Sequence, residues 1–477
     1  MARRPEPAAQ RENWLSRGQI ARRLEQGSTL ALGALLATLP FWRHRVLLHR
    51  PLEPVFFELH DITLYTNDVF WCAAVGAWLL SRVLLRGPSR LSAGPWFVYG
   101  PLLGFLALCL AGIPFAVDPL FAAYQAARLV LLLALYLMLV NLRPAPGAIA
   151  WPLAIGMVIQ AVVAVPQFAL GRTLGLRRLG EVVSNATWSG SSVVKVGQES
   201  WLRAYGLAQH PNLLAGCLMA MLLIVAGYYL AQGGWKRLLL LAALGAGCVA
   251  LLLTFSRAAW LGTLLGGVAA LAFLRRRGSV RTLALSPSTA RLLGVVLVAV
   301  SVTFVALNGP LVQSRFDVTA QPTEVQSVEM RKMQVPAALA LIRMRPLLGV
   351  GLGNYATALY TLAPGMVAAD RIYQPVFAVP LLVAAELGIG GGALWLVLIA
   401  APWVALWRRR REAAVTSWWA GLSGALLALA VASFFDFYPW TSHQGPLVLW
   451  IVLGLWGSEW ENALATRHPT TETASPP

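Results

Sequence analysis

Apolar runs of about 20 residues follow one another along the whole chain, separated by short polar connections. A run of that length spans the hydrocarbon core of a bilayer as an α-helix. The pattern therefore predicts an all-α, polytopic membrane bundle of about twelve helices. The predicted spans are 28–46, 64–85, 95–115, 119–141, 148–170, 211–231, 236–254, 258–274, 291–309, 379–407, 416–435 and 443–458.

The polar connections divide the chain into regions, and the largest connection is an outer loop at 310–378 between the ninth and tenth spans. Within that loop, VEMRKMQVPAALALIRM predicts a helix that stops at Pro346, where a glycine-rich turn follows. The regions are a basic N-terminal segment at 1–27, N-terminal helices at 28–170, an outer loop at 171–210, a central core at 211–407, C-terminal helices at 408–458 and a disordered tail at 459–477.

Composition fits a membrane protein and argues against two other classes. Hydrophobic residues make up 58% of the chain and charged residues 12%, which is typical of a polytopic membrane protein rather than a soluble enzyme. The net charge of +18 comes from basic clusters between the apolar runs, so no nucleic-acid partner is expected. Most clusters fall inside if the N-terminus is cytoplasmic, which predicts two cytoplasmic termini; the first outer loop, with Arg43, Arg45 and Arg50, is the exception.

Arg257 stands in the middle of an apolar stretch, LLLTFSRAAWLGTLL at 251–265. A guanidinium stays charged at any ordinary pH, and placing it in hydrocarbon costs about 2.5–3.5 kcal/mol or more. That penalty is avoided if Arg257 lies at a break between two short spans and lines a water-filled cavity open to the outside. Other unusual polar residues gather on the same side: Arg128, Arg203, His210, Arg331, Glu386, Asp436 and His443.

Several arginines around one outer cavity favour an anionic ligand, because guanidinium groups pair well with phosphate oxygens and keep their charge when partly desolvated. A lipid-linked diphosphate fits, with its head at the outer face and its tail in the bilayer. Transfer of a sugar from such a donor expels a diphosphate, and arginines can stabilise its charge as metal ions often do. The chain has no D-x-D pair, so neither a metal nor another cofactor is expected.

Plainer roles compete for several of these residues. His210, in a His-Pro-Asn sequence, can cap the helix that follows it. Arg331 can lie on the solvated face of an amphipathic helix, and Glu386 can pair with a buried arginine for structural reasons alone. The stretch GVGLGNY at 349–355 matches neither nucleotide fingerprint, and a lone glycine-rich turn is usually only a turn.

Five stretches, taken in order and spacing, resemble the O-antigen ligase/polymerase family of polytopic membrane proteins. They are LRAYGLAQHPNLLAG (202–216), LLTFSRAAWLG (252–262), EMRKMQ (329–334), RPLLGVGLGNY (345–355) and VPLLVAAELGIGG (379–391). The resemblance covers most of the chain, makes 211–407 its related core, and implies a twelve-span helical fold. It also implies metal-independent glycan transfer from an undecaprenyl-diphosphate donor at the outer face of a bacterial inner membrane.

The resemblance implies roles for individual residues. By position, Arg203 and Arg257 would bind the diphosphate of the donor, and Arg331 would line the same cavity. Arg128, within the fourth span, is a further candidate for diphosphate binding. Glu386 would lie near the acceptor end of the cavity.

The chain departs from the family pattern where a general base is expected. Family members usually carry a His ahead of the tenth span, and Phe377 stands at that position. Phe437, in DFYPWT, likewise stands where a His is often expected. A phenyl ring cannot accept a proton. If the chain is active, the candidate bases are His210, Glu386, Asp436 and His443.

Three functions remain open. The first is a membrane glycan transferase that moves a glycan from an undecaprenyl-diphosphate donor to a lipid or glycan acceptor, in surface polysaccharide or O-antigen assembly. The second is a non-catalytic binder or transporter of lipid-linked glycan, which Phe377 and Phe437 favour. The third is a glycosyltransferase using a lipid-monophosphate-sugar donor, with Glu58 and Asp61 as an acidic pair in the first outer loop, although a polar helix start is the plainer interpretation of that pair.

Alanine at two positions separates the first function from the third. If arginines bind a diphosphate donor, Arg257→Ala reduces glycan transfer to near background, whereas Asp61→Ala retains it, because only the first removes a phosphate-binding cation. Product formation from each class of donor is followed by mass spectrometry. If Asp61→Ala loses transfer and Arg257→Ala retains it, the donor is instead a lipid-monophosphate sugar.

Overall fold

The computed structural model describes residues 8–52, 55–85, 91–275, 287–317, 322–366, 373–409 and 415–465, and this part of the chain is mainly helical. The α-helices, numbered in chain order, are α1 Ala8–Ala37, α2 Thr66–Leu84, α3 Trp96–Gly112, α4 Pro119–Leu142, α5 Pro146–Leu170, α6 Pro211–Tyr229, α7 Gly234–Leu253, α8 Arg257–Leu274, α9 Pro287–Phe316, α10 Pro322–Met344, α11 Tyr355–Leu362, α12 Val379–Arg408, α13 Ser417–Ala432, α14 Tyr438–Thr441 and α15 Gln444–Ala465. The strands are β1 His44–Leu48, β2 Ile62–Tyr65, β3 Val193–Val196 and β4 Glu199–Leu202.

Eight helices in the described ranges are long and apolar enough to cross a membrane, namely α3 to α9 and α12. The shorter helix α13 is also apolar. The predicted class, an all-helical multi-pass membrane protein, is therefore confirmed. In the described ranges the strands form two small antiparallel hairpins. The β3–β4 hairpin lies in the predicted outer loop at 171–210, whereas the β1–β2 hairpin overlaps the facing ends of the first two predicted spans.

The boundaries of the first predicted span were wrong. Helix α1 already ends at Ala37, and residues 38–40 form a turn instead of continuing the run through 46. Pro40 ends the helical pattern because it lacks an N–H and disfavours helical geometry in the residue before it. The chain then enters β1, where Arg45 pairs with Leu64 of β2, so the second span also begins later than predicted.

Two other boundaries were wrong as well. Helix α9 continues to Phe316, so residues 310–316 belong to it and not to the large outer loop. The helix is kinked at Asn308, which Pro310 explains because its ring removes a hydrogen bond and crowds the preceding turn. Helix α15 continues to Ala465, so the start of the predicted disordered tail is helical, and residues 466–477 lie outside the described ranges. The helix predicted in the outer loop is confirmed as α10.

The centre of the bundle is formed by α6, which is buried along almost its whole length. Helix α13 packs beside it and also against α8, and glycines allow both close approaches. A Cβ atom at Gly266 of α8 would meet the backbone of Gly424 in α13, and one at Gly227 of α6 would meet the backbone around Gly421. Small residues at helix contacts are the usual means of close packing in membranes, where lipid supplies no hydrophobic driving force between helices.

Helix α12 is broken at Gly388, whose φ of 78° lies in the left-handed region. The glycine-rich turn at 345–354 packs against this break and satisfies its backbone. The Val350 N–H donates to the Ala385 carbonyl at 2.9 Å, the Gly351 N–H donates to the Glu386 carbonyl at 3.0 Å, and the Ile389 N–H donates to the Pro346 carbonyl at 2.9 Å. Irregular backbone at membrane depth is tolerated when protein satisfies it in this way.

Substitution of Gly388 by Ala is expected to destabilise the fold. The added Cβ would overlap the Leu347 carbonyl oxygen and would strain a positive φ, so a loss of at least about 1–3 kcal/mol follows. Thermal unfolding in detergent, followed by tryptophan fluorescence, measures it. Gly294→Ala in α9 is the matched control, because a Cβ there meets open space and leaves the midpoint unchanged or slightly raised. An unchanged midpoint for Gly388→Ala would contradict the tight packing of the turn.

Candidate functional site

A cavity of about 930 Å³, here named the arginine cavity, lies between the first outer loop, the start of α6, the α7–α8 junction and the segment that precedes α15. The end of α9, through Arg315, and the middle of α10, through Arg331, also contribute to its wall. Its charged and polar lining includes Glu58, Arg203, Gln209, His210, Asn212, Arg257, Arg315, Arg331, Asp436, Tyr438 and His443.

The junction between α7 and α8 forms the floor of the arginine cavity. Phe255, between the two helices, has a φ of 50°, an unusual left-handed conformation for a bulky residue. The carbonyls exposed by this break accept hydrogen bonds from two arginines. Arg203 Nε donates to the Thr254 carbonyl at 2.6 Å, and Arg315 donates to the Phe255 carbonyl through Nε at 3.3 Å and Nη2 at 3.2 Å. Cations at the C-terminal end of α7 also complement its helix dipole.

Arg257 is the first residue of α8 and lines the cavity together with Ser256 and Ala258. It therefore lies at a helix start next to a polar cavity, as the sequence predicted, and its Nη1 donates to the main-chain carbonyl of Arg315. A helix N-terminus carries partial positive charge, so the guanidinium and the dipole of α8 act in the same direction on an anion in the cavity.

A chain of hydrogen bonds holds Arg203 in place. Arg203 is 7% exposed, and its Nη2 donates to Asn212 Oδ1 at 2.5 Å. Asn212 Nδ2 in turn donates to Asp436 Oδ2 at 2.7 Å. Burial raises the pKa of Asp436, while the hydrogen bond from Asn212 opposes that shift. The chain connects the start of α6 to the segment between α13 and α14.

His210 is the N-cap of α6, which is the plainer of the two roles considered from the sequence. Its Nδ1 accepts a hydrogen bond from the Asn212 N–H at 3.1 Å, and its Nε2 lies 2.8 Å from Ser192 Oγ. Burial, together with the charges of Arg203 and Arg315, lowers the pKa of His210 to about 3, so the ring is neutral at physiological pH.

The two phenylalanines that replace expected histidines are neighbours on the cavity wall. The ring centroids of Phe377 and Phe437 lie 5.2 Å apart. The Arg331 guanidinium lies over the Phe377 ring at 4.9 Å from its centroid, a cation–π contact. Arg331 is thus held beside the position where the family pattern expects a base.

A second cavity of about 80 Å³, here named the small cavity, lies beside the first and contains the remaining candidates. Arg128 lines the small cavity and not the arginine cavity; its Nη1 lies 3.3 Å from Asp68 Oδ2 and 3.1 Å from the Tyr124 hydroxyl. Glu386 also lines only the small cavity, and accepts hydrogen bonds from Trp440 Nε1 at 2.8 Å and from the Tyr355 N–H at 3.4 Å. His443 lines both cavities and contacts Arg128 through Nδ1.

The structure thus brings Arg203, Arg257 and Arg331 together, as predicted, and separates Arg128 and Glu386 from them. Arg315 was missed because it was assigned to the large outer loop, six residues after a predicted span end. The signal that could have found it is the apolar pattern of α9, which continues past Pro310 and carries Arg315 in its last turn.

The acidic pair of the first outer loop is divided between two environments. Asp61 is buried, and its oxygens accept hydrogen bonds from His49 Nδ1 and the Arg50 N–H, both at 2.7 Å. Glu58 is half-buried and lines both cavities. Burial raises the pKa of Glu58 to about 7, against a hydrogen bond from Gln209 that lowers it.

Comparison with protein families gives a match over the central part of the chain. Residues 238–396 match the family model described as O-Antigen ligase, which is about a third of the chain. No curated protein matches the chain. The matched stretch contains Arg257, Arg331 and Glu386 together with Phe377, whereas the other candidate site residues lie outside it.

Substitution of His210 tests its capping role. Asn provides an oxygen that caps a helix well, so His210→Asn is expected to keep the unfolding midpoint close to that of the natural protein. His210→Leu removes the cap and is expected to lose about 1 kcal/mol. Thermal unfolding in detergent compares the two variants. Equal destabilisation by Asn and Leu would contradict a cap as the main contribution of His210 to stability.

Proposed function

We propose that this chain, whose residues 238–396 match the O-Antigen ligase family model, transfers a glycan from an undecaprenyl-diphosphate donor to an acceptor hydroxyl. The reaction would take place at the outer face of the bacterial inner membrane, in surface polysaccharide or O-antigen assembly. The acceptor would be a lipid or another glycan.

One observation carries this proposal. Arg203, Arg257 and Arg331, which come from three separate segments of the chain, line one cavity with Arg315. Two carboxylates among the described lining residues, Glu58 and Asp436, leave the arginines in excess. An anion is therefore the ligand that the cavity favours, and its volume of about 930 Å³ is that of a ligand pocket.

The arginines supply what this transfer needs most, which is stabilisation of the leaving group. As the acceptor oxygen bonds to the anomeric carbon, the bond to the diphosphate breaks and negative charge grows on the phosphate oxygens. Donors held in advance stabilise such charge without reorganising during the reaction. Arg203 is held in this way, by the Thr254 carbonyl on one side and Asn212 on the other.

The proposed topology has twelve spans. Helices α1, α2, α13 and α15 would add to the eight helices that are long and apolar enough to cross on their own. Both termini would be cytoplasmic, as the basic clusters indicate, and the arginine cavity would open to the outer side. The lipid tail of the donor would remain in the bilayer.

A second function is favoured by the phenylalanine pair. Phe377 and Phe437 pack together on the wall of the arginine cavity and supply no proton acceptor. A protein that binds lipid-linked glycan without transferring it would tolerate this replacement.

Donor binding and turnover, measured side by side in nanodiscs, separate the two functions. With undecaprenyl-diphosphate glycan and an acceptor extract, we expect the natural protein to bind the donor and to release undecaprenyl diphosphate, detected by mass spectrometry. Arg257→Ala is expected to lower release by about 10²–10³-fold, because one donor to a developing oxyanion typically contributes that much. Arg343→Ala is the matched control, since Arg343 is exposed on α10 and lines neither cavity.

The Phe377→His variant completes the test. If the natural protein binds the donor but releases nothing, and Phe377→His gains release, the chain is a binder and the transfer proposal is wrong. If the natural protein shows no donor binding that depends on Arg257, both functions are wrong.

A further inference from the structure

The arginine cavity and the small cavity meet at a common wall. The residues that line both are Glu58, Leu59, Tyr65, Pro375, Thr441, Ser442 and His443. Among the described residues of this wall, Glu58 is the one carboxylate. It therefore faces the proposed donor site on one side and a second polar space on the other.

We propose that Glu58 accepts the proton of the acceptor hydroxyl. At the position where the family pattern expects a histidine for this role, the chain has Phe377, whose phenyl ring cannot accept a proton. The inference rests on the proposed transfer function. In the step, the acceptor oxygen forms a bond to the anomeric carbon while the bond from that carbon to the diphosphate breaks. The electron pair of the broken bond leaves with undecaprenyl diphosphate, and the acceptor proton passes to a Glu58 carboxylate oxygen.

His210 is a poorer proton acceptor because its lone pair is already used. Its Nδ1 accepts from the Asn212 N–H, so the hydrogen of the neutral ring is on Nε2 and points to Ser192 Oγ. Protonation of His210 would break the cap of α6.

His443 meets the same limit. Its Nδ1 contacts Arg128 Nη2, and a guanidinium only donates, so Nδ1 is the acceptor and Nε2 carries the hydrogen. His443 Nε2 is buried and has no hydrogen-bond partner among the described residues. In this tautomer His443 has no free lone pair to accept a proton from the acceptor.

The two remaining carboxylates are occupied or distant. Asp436 accepts from Asn212 Nδ2 at 2.7 Å and from the Phe437 N–H at 2.8 Å, and in this way it orients the side chain that holds Arg203. Asp436 is a positioning residue for the donor site. Glu386 lines only the small cavity, where Trp440 and Tyr355 donate to its oxygens.

The surroundings of Glu58 suit a base. Its pKa is raised to about 7 by burial, with a smaller contribution from the charge of Asp61 and an opposing hydrogen bond from Gln209. A base whose pKa lies near the working pH is both ionised and basic enough to act. The small cavity behind it has room for a few water molecules, which can carry the proton away. The titratable or charged groups that line the small cavity with Glu58 are Asp61, Tyr65, Tyr124, Arg128, Tyr355, Glu386 and His443. Those that line only the arginine cavity with it are Arg203, Tyr205, His210, Arg257, Arg315, Arg331, Asp436 and Tyr438.

The test compares Glu58→Gln with the natural protein in nanodiscs, using undecaprenyl-diphosphate glycan and an acceptor extract. We expect Glu58→Gln to lower the rate of undecaprenyl diphosphate release by about 10²–10⁴-fold, with donor Kd unchanged, because only the proton acceptor is lost. Glu58→Asp should retain an intermediate rate. Release by the natural protein should rise with pH through about 7, because Glu58 must be ionised to act, and this rise should disappear in Glu58→Gln.

Glu199→Gln is the matched control, because Glu199 is an exposed carboxyl on β4 that lines neither cavity. If Glu58→Gln keeps the rate of the natural protein within about threefold, the inference is overturned while the proposed function stands. If the natural protein binds the donor and never releases diphosphate, the proposed function fails and the inference with it. If Glu58→Gln does not fold, the pH dependence of the natural protein and the rate of Glu58→Asp decide, and a rate independent of pH across 6–8 overturns the inference.

Discussion

The capping of the α7 carbonyls by arginine is the interaction on which the rest of the site depends. A helix that ends inside a membrane protein leaves carbonyls without partners, and each unsatisfied group there is costly. Here Arg203 donates to the Thr254 carbonyl and Arg315 donates to the Phe255 carbonyl. The same contacts fix two cations beside the start of α8. The same arginine contacts therefore satisfy the break between α7 and α8 and give the cavity its positive charge.

The other residues that line the arginine cavity complement these arginines. A wall with four arginines needs some negative charge to be stable, and Asp436 supplies it indirectly through Asn212. The same lining carries the aromatic pair of Phe377 and Phe437, with Arg331 over the first ring. The cavity thus combines guanidinium groups suited to phosphate with aromatic rings suited to the apolar faces of sugar rings.

Sequence alone could predict the helical class and the position of Arg257 at a break. These follow from local signals, because an arginine between two apolar runs has few stable locations. The shared cavity of Arg203, Arg257 and Arg331 was an expectation from the family resemblance. The hairpin of β1 and β2 was not predictable in the same way, since His44–Leu48 is as apolar as a span end and only Pro40 marks the change.

Other features depended on tertiary contacts that no local pattern reports. Arg128 resembles a ligand-binding arginine in sequence, yet its partners Asp68 and Tyr124 come from α2 and from its own helix. Glu58 was recognised as a polar residue of the first outer loop, but its place between two cavities depends on segments far along the chain, since Pro375 and His443 line the same two cavities. Hydrogen bonding also distinguishes His210 as a cap, which residue type cannot do.

The kink of α9 links the site to the thickness of the bilayer. The straight part of this helix, residues 287–307, is about 31 Å long at 1.5 Å per residue, which matches the hydrocarbon core. In the proposed topology the kink at Asn308 lies near the outer boundary of the hydrocarbon, and the last turns carry Arg315 to the α7–α8 junction. In that topology, hydrophobic matching of α9 sets the height at which Arg315 meets its carbonyl. A thicker or thinner membrane must tilt α9 or shift that guanidinium, so lipid chain length becomes a determinant of how well the cap is made.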